Sequence, residues 1–448
     1  MTTEEEIINL ICSISHTIDP NRIRDLFELN IINLNNPRLS YNYAVNVVGA
    51  NNYEHCNIIL RSGNPEYNYL AARYITNSDW GAHEWEVIKS GNLEYIFKFA
   101  KYIPYAHKEL LSKKVLESKD AKANYMFYKY IDDVDKRAHL RQVLESGDPE
   151  YNYLIARYER NVDREKFIEA IYNSCNPKYN FMMAQNIQNV DLERIEQIII
   201  NSKNPWYALE YLQNCQVFNK EDLIEVIIQS KDPETNYIVA RDIDEVDILT
   251  HQQIVMDSLD PSLIFLFARD VPGADKKSLE KLILKIKNPQ YAYYYATEIE
   301  GAKTKLLGKV IKNSNDCKYC YHFANDVKLG IINEEDLNEY EDIIINSNSG
   351  KYNYFYIQNI SMKRFKEHFN AIIRSKEAKY IYKLSEHFIK ELTDKQLQQI
   401  EDSLFETRNM LYIKNYLLTF KKQRSLPISG KSFNIEDNVK KLSKLLAI

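Results

Sequence analysis

Apolar residues along this chain return in one pattern every 28 residues. Counting from Pro65 as position 0, large side chains recur at +4, +7 and +10. They are Phe265, Ala268 and Val271 in the copy at Pro261, and Tyr293, Ala296 and Ile299 in the copy at Pro289. Spacings of three mark one face of a helix. Position +7 is Ala in most copies, which predicts close approach of a neighbouring helix. Position +6 is also large in many (Phe99, Phe127, Tyr211, Phe267, Tyr295, Phe323). A helix apolar on more than one face is covered on more than one side, as an inner helix of a stack is. A second apolar set follows at +18, +21 and +22, as in Leu279, Leu282 and Ile283. Each period therefore predicts two antiparallel helices of about three turns.

The polar positions supply the punctuation. Steps of 28 land on Pro37, Pro65, Leu93, Ala121, Pro149, Pro177, Pro205, Pro233, Pro261, Pro289 and Cys317, each preceded by Asn or Asp. A short side-chain oxygen followed by Pro suits a helix start. The oxygen accepts from free N–H groups of the first turn, and Pro at the first position lacks a donor that would go unpaired. Asp79, Asp135, Asp163, Asp191, Asp247 and Asp275 at +14 mark the start of the second helix, and a recurrent Ser at +25 marks its end. After a five-residue insertion around "KLGIINEEDLNEY" the register resumes at Gly350 and Ala378, with a degenerate copy near Met410.

Such hairpins bury their apolar faces only by stacking. The pattern predicts an all-α chain, an α-solenoid of about 12–13 stacked two-helix hairpins with a 28-residue period. It assigns 1–32 to an N-terminal helical cap, with Asp19-Pro20 starting a helix. Residues 33–420 form the array, with the insertion near 328–341. Residues 421–448 form a basic linker and an amphipathic helix.

The recurring phrase, "SGNPEYNYLAARYI" at Ser62–Ile75 and "SGDPEYNYLIARYE" at Ser146–Glu159, resembles the tyrosine-rich short helical repeats common in uncharacterised proteins of phages, large DNA viruses and some AT-rich bacteria. The resemblance spans roughly residues 33 to 420. It implies a helical repeat array, as in a viral or phage accessory protein, and implies no activity. Tetratricopeptide and ankyrin signatures are absent, and both repeats are longer than 28 residues.

Charge and composition narrow the function. A net charge of -5 argues against wholesale nucleic-acid binding. The last 28 residues carry seven basic and two acidic side chains, so +5 there leaves -10 on the rest. That tail either folds back on the acidic body or makes a separate contact. The abundance of Tyr, 34 in all, partly reflects an AT-rich codon supply. An acidic N-terminus, "MTTEEEIINL", and no long apolar run predict a soluble, cytoplasmic protein without signal peptide or membrane segment. Six scattered cysteines read as reduced thiols.

No phosphate-cradling, zinc-protease or nucleophile-elbow motif is present. "CKYCYH", Cys317 to His322, places two thiols at a helix start but lacks partners for a tetrahedral metal set. His55, His83, His139 and His251 share position +18 and read as half-buried packing residues. Glu334-Glu335-Asp336 reads as a solvated first turn. No cofactor, metal site or catalytic residue is expected, and the chain is expected not to be an enzyme.

One surface feature stands apart. Positions +8 and +9 read Arg73-Tyr74, Lys101-Tyr102, Lys129-Tyr130 and Arg157-Tyr158 in four consecutive copies, then turn neutral, then acidic. This ladder is the candidate binding site. Two readings stand open: a groove for a protein or extended peptide partner, or internal pairing of the +8 cations with Asp at +14, worth under about 1 kcal/mol each if exposed. The leading function is a non-enzymatic interaction scaffold. The alternative is single-stranded nucleic-acid binding, since rings beside cations suit stacked bases.

Overall fold

A computed structural model describes residues 3–14, 21–333 and 336–423. Thirteen helix pairs follow one another from Pro37 to Glu406, preceded by Glu4–Ile14 and Asn21–Asn33 and followed by Met410–Gln423. The chain is an all-α solenoid, and no strand occurs among the described residues. It divides into two compact units, 1–230 and 231–448. The first holds the copies at Pro37 through Pro205, the second those at Pro233 through Ala378. Within each unit a first helix packs on its own second helix and on the next first helix, as Pro65–Tyr74 does on Trp80–Ser90 and Leu93–Tyr102.

The capping residues work as their chemistry requires. Asn64 Oδ1 accepts from the N–H groups of Glu66 and Tyr67 at 3.0 and 3.3 Å, with Pro65 at the first position. Asp79 Oδ1 accepts from Ala82 N–H at 3.1 Å and so opens the second helix. The recurrent Ser has two bonds. Ser62 Oγ donates to the Ile59 carbonyl at 2.6 Å and accepts from Asn64 N–H at 3.1 Å, joining the end of one copy to the start of the next. Between these two bonds the chain turns through a left-handed residue, Gly63 with φ +60°.

Three kinds of tie, buried or part-buried, hold successive copies in register. The first is Asn at +3. Asn68 Nδ2 donates to the Asn64 carbonyl at 2.8 Å and to Ile59 of the preceding second helix at 3.3 Å. Asn124, Asn180 and Asn353 repeat the arrangement. The second is a polar residue at +19, which accepts from backbone N–H groups where the next copy's second helix begins. Glu196 takes Phe218 and Asn219 at 2.8 and 2.6 Å, Gln252 takes Asp275 at 2.8 Å, and Glu84 takes His107 at 2.7 Å. The third is aromatic. The ring at +4 meets the ring at +2 of the next copy, as in Tyr69–Tyr95, Tyr125–Tyr151 and Tyr153–Tyr179, with centroids 6.1, 5.5 and 6.1 Å apart. Much of the Tyr content is thus positional, whatever the codon supply.

The +18 histidines are wholly buried, not half-buried. The reason is a partner within the same copy: His83, His139 and His251 Nδ1 lie 2.7, 2.8 and 2.7 Å from the Asn Oδ1 at +3. Because that Asn amide already donates to carbonyls, Nδ1 is the donor and the imidazole is the neutral Nδ1–H form. His368 meets Asn353 in the same way at 2.8 Å. His55, whose +3 residue is Ser40, bonds Glu28 through Nε2 at 3.1 Å.

The insertion lengthens the first helix at Cys317 to twelve residues, Cys317–Lys328, where its neighbours have ten. Tyr340 then stacks on Phe323 with centroids 4.9 Å apart. Its hydroxyl occupies the space a side chain at Gly308 would fill. Gly350–Asn359 and Ala378–His387 are first helices, where the register resumes. Asp19-Pro20, Glu334-Glu335 and the tail from 424 lie outside the described residues.

Candidate interaction surface

Positions +8 and +9 are the last two residues of each ten-residue first helix. Positions +3, +4, +6 and +7 turn inward, so the helix leaves +1, +5 and +8 on its open face with +9 at the edge. Tyr74, Tyr102, Tyr130 and Tyr158 keep 51, 44, 47 and 54% of their surface in solvent. Packing does not demand a ring here: later copies place Asn, Asp or Glu at +9.

The cations sit between the rings. Arg73 lies 5.1 Å from the centroid of Tyr74 and 4.7 Å from that of Tyr102. Lys101 lies 5.3 Å from Tyr102 and 4.8 Å from Tyr130. Lys129 is 5.9 Å from Tyr158, and Arg157 is 5.1 Å from the same ring. Ring and cation alternate along four copies, each contact worth about 0.5–1 kcal/mol at an exposed site. Arg157 also donates to Tyr153 Oη at 2.6 Å, and Arg73 to Tyr69 Oη. These hold the guanidinium groups against the helix while leaving them accessible.

The pairing of +8 cations with Asp at +14 does not occur among the described residues. Asp79, Asp135, Asp191 and Asp247 turn their carboxylates to N–H groups of their own second helices instead. Among the described residues, Lys129 alone of the four ladder cations has a carboxylate, Glu159 at 3.4 Å. Glu159 stands at +10, where other copies are apolar, and also accepts from Tyr128 Oη at 2.9 Å. The second unit differs in chemistry at the same positions. Arg241 and Arg269 are clamped by Asp242 and Asp270 at 2.6 and 2.7 Å, and those aspartates sit well below their usual range for that reason.

Further rings stand at or beside the links of the early copies, unforeseen from the sequence. Tyr53 and Tyr105 are 73 and 74% exposed, and Trp80 lies 6.3 Å from Tyr105 and 5.3 Å from His107. A half-exposed ring, Phe218, recurs at the link of the copy at Pro205, so position along the array does not single them out.

The remaining polar groups serve the fold. Cys320 is buried, and burial pushes its thiol up to about 12; Cys317 is raised for the same reason. Neither is an activated nucleophile. Among the described residues no three His, Cys, Asp or Glu side chains converge as a metal would require. A cleft between links in the second unit is lined by Lys276, Lys277, Glu280, Tyr295 and Glu300. Its Glu280 already accepts from Lys303 N–H, and Tyr295 Oη donates to the Lys276 carbonyl. No helix among the described residues is long and apolar enough to cross a membrane.

No family model matches the chain, and no curated protein does. Two solved structures are similar at 10% identity. One is a protective antigen of uropathogenic Escherichia coli displaying an SLR fold, aligned over 91% of this chain and 98% of its own with a TM-score of 0.25. The other is an engineered protein, aligned over 90% and 98% with a TM-score of 0.12. Likeness at that level carries no argument, and the solenoid assignment stands on the chain's own helix pairs.

Proposed function

We propose that the chain is a non-enzymatic interaction scaffold whose first unit holds a protein or an extended peptide along the open face of its first helices. One observation carries the reading. Four half-exposed tyrosines alternate with four cations in consecutive copies, at positions where the fold requires neither. Rigid rings give contact area at small entropic cost, and guanidinium or ammonium groups hold carboxylates. The polar groups of the repeats are spent on caps and ties, consistent with a binding role rather than a catalytic one.

Single-stranded nucleic acid is the second reading, favoured by the same stacking rings. Carboxylates on the same helices, Glu66, Glu94 and Glu150, weigh against it. The test is capture from extract of the source organism, with and without nuclease, using the wild type and a variant carrying Ser for Tyr74, Tyr102, Tyr130 and Tyr158. The expected result is a partner retained by the wild type, lost by the variant and indifferent to nuclease. Identical captured sets would remove the ladder from the account.

A further inference from the structure

The spacing of the ladder restricts what lies on it. Neighbouring packed helices are about 8–10 Å apart. Arg73 bridges Tyr74 and Tyr102 at 5.1 and 4.7 Å, which bounds those two rings to a separation of about 10 Å. Lys101 bridges the next two rings at 5.3 and 4.8 Å, to the same bound. An occupant with its own period must present one contact group per such step.

A β-strand repeats its face every two residues, about 6.6–6.8 Å, and falls out of step by the second copy. A polyproline-II helix has three residues per turn and rises 3.1 Å per residue, about 9.3 Å per turn. Its same-face residues arrive at the spacing of the copies. Such a segment has no internal hydrogen bonds and lies between aromatic rings in its usual binding grooves. Charge fixes the residue on the facing edge. Among the described residues Arg73, Lys101 and Arg157 make no ion pair, and their exposed edges are open to a carboxylate. Of the nearby acids, Glu159 pairs with Lys129 within the ladder, and Glu94 and Glu150 stand at the other end of the same helices, about 10 Å along the axis. The latter two are held by Lys98 at 2.6 Å and Tyr179 at 2.9 Å.

We infer that the ladder binds a polyproline-II segment carrying a carboxylate at every third residue, one triplet to each helical copy, with prolines lying against the solvent-exposed surfaces of the tyrosines. This rests on the proposed scaffold function and names the partner's chemistry. Four copies take residues i, i+3, i+6 and i+9, three of whose carboxylates face the open cations Arg73, Lys101 and Arg157, while Lys129 keeps Glu159.

The test is fluorescence anisotropy of the full chain at low salt with a labelled peptide of four Glu-Pro-Pro triplets. Its comparisons are four Glu-Pro-Pro-Pro quartets, the triplet peptide with Gln for Glu, and a single-stranded oligothymidine. Saturable binding to the first peptide is expected, at least tenfold weaker to the quartets and to the Gln peptide. Replacing the four tyrosines by Ser should abolish it, whereas Phe at all four should keep it within about threefold, since the rings remain. Thermal melts of both variants verify folding. Equal affinity for triplets and quartets, tighter binding to the oligonucleotide, or no saturable binding to the triplets overturns the inference. If the triplets fail while partner capture still depends on the tyrosines, the scaffold reading survives alone. If capture is also unchanged by the Ser variant, both fall.

Discussion

Single residues carry most of what is specific to this array. In several copies the residues at +3 and +18 match in kind: Asn68 with His83 and Asn124 with His139, but Ile96 with Leu111 and Ile264 with Leu279. A polar pair and an apolar pair each satisfy the same buried space, whereas the mixed pairs Asn152–Phe167 and Asn180–Ile195 leave the asparagine Oδ1 without a hydrogen-bond partner among the described residues. Burial holds His83, His139 and His368 down to about 4. They are neutral in the fold, whereas the unfolded chain takes up protons below about 6.5. The unfolded state therefore binds more protons between about 6.5 and 4, and stability contributed by the neutral form is lost as pH falls through that window. His83→Leu should cost on the order of 1–3 kcal/mol at pH 7, because Asn68 Oδ1 loses its partner. Adding Asn68→Ile should restore most of that and also reduce the loss of stability from pH 7 to pH 5. Urea midpoints at the two pH values check both. A double variant no better than the single would show that the two sites are not one unit.

At the scale of elements, helix starts and ends were readable because each depends on residues adjacent in sequence. Asn64-Pro65, Asp79 and Ser62 announce themselves. The ties between copies were not readable with the same ease. Glu196 looks like any surface acid until Phe218 and Asn219 are brought to it across the stack. The recurrence of Glu or Gln at +19 was the available signal. The +8 and +14 correlation misled for a physical reason: the aspartate's short side chain reaches its own helix's N–H groups and serves them instead. Glu196→Ala should destabilise by about 1 kcal/mol, since two part-buried N–H groups lose their acceptor. Glu196→Gln should cost less, because Gln252 does the same work in another copy. Chemical denaturation of the two variants separates them, and equal effects would mean the carboxylate acts only by its charge.

For the whole molecule, the period and the fold class followed from the 28-residue step, while the division at 230 and 231 did not. No composition shift marks it. The ladder's residues were visible in sequence as a run of Arg/Lys-Tyr pairs. Their interleaving into one row of rings and cations was not, since it depends on side chains of adjacent copies. The central claim is that this row touches a partner. It is tested most directly by photo-crosslinking in cells of the source organism, with a benzoylphenylalanine in place of Tyr102 or, as control, of exposed Lys113 on the second helix Lys108–Ser118. The account predicts a discrete crosslinked species from position 102 and none of that size from 113. The same species from both positions, or from neither, would contradict it.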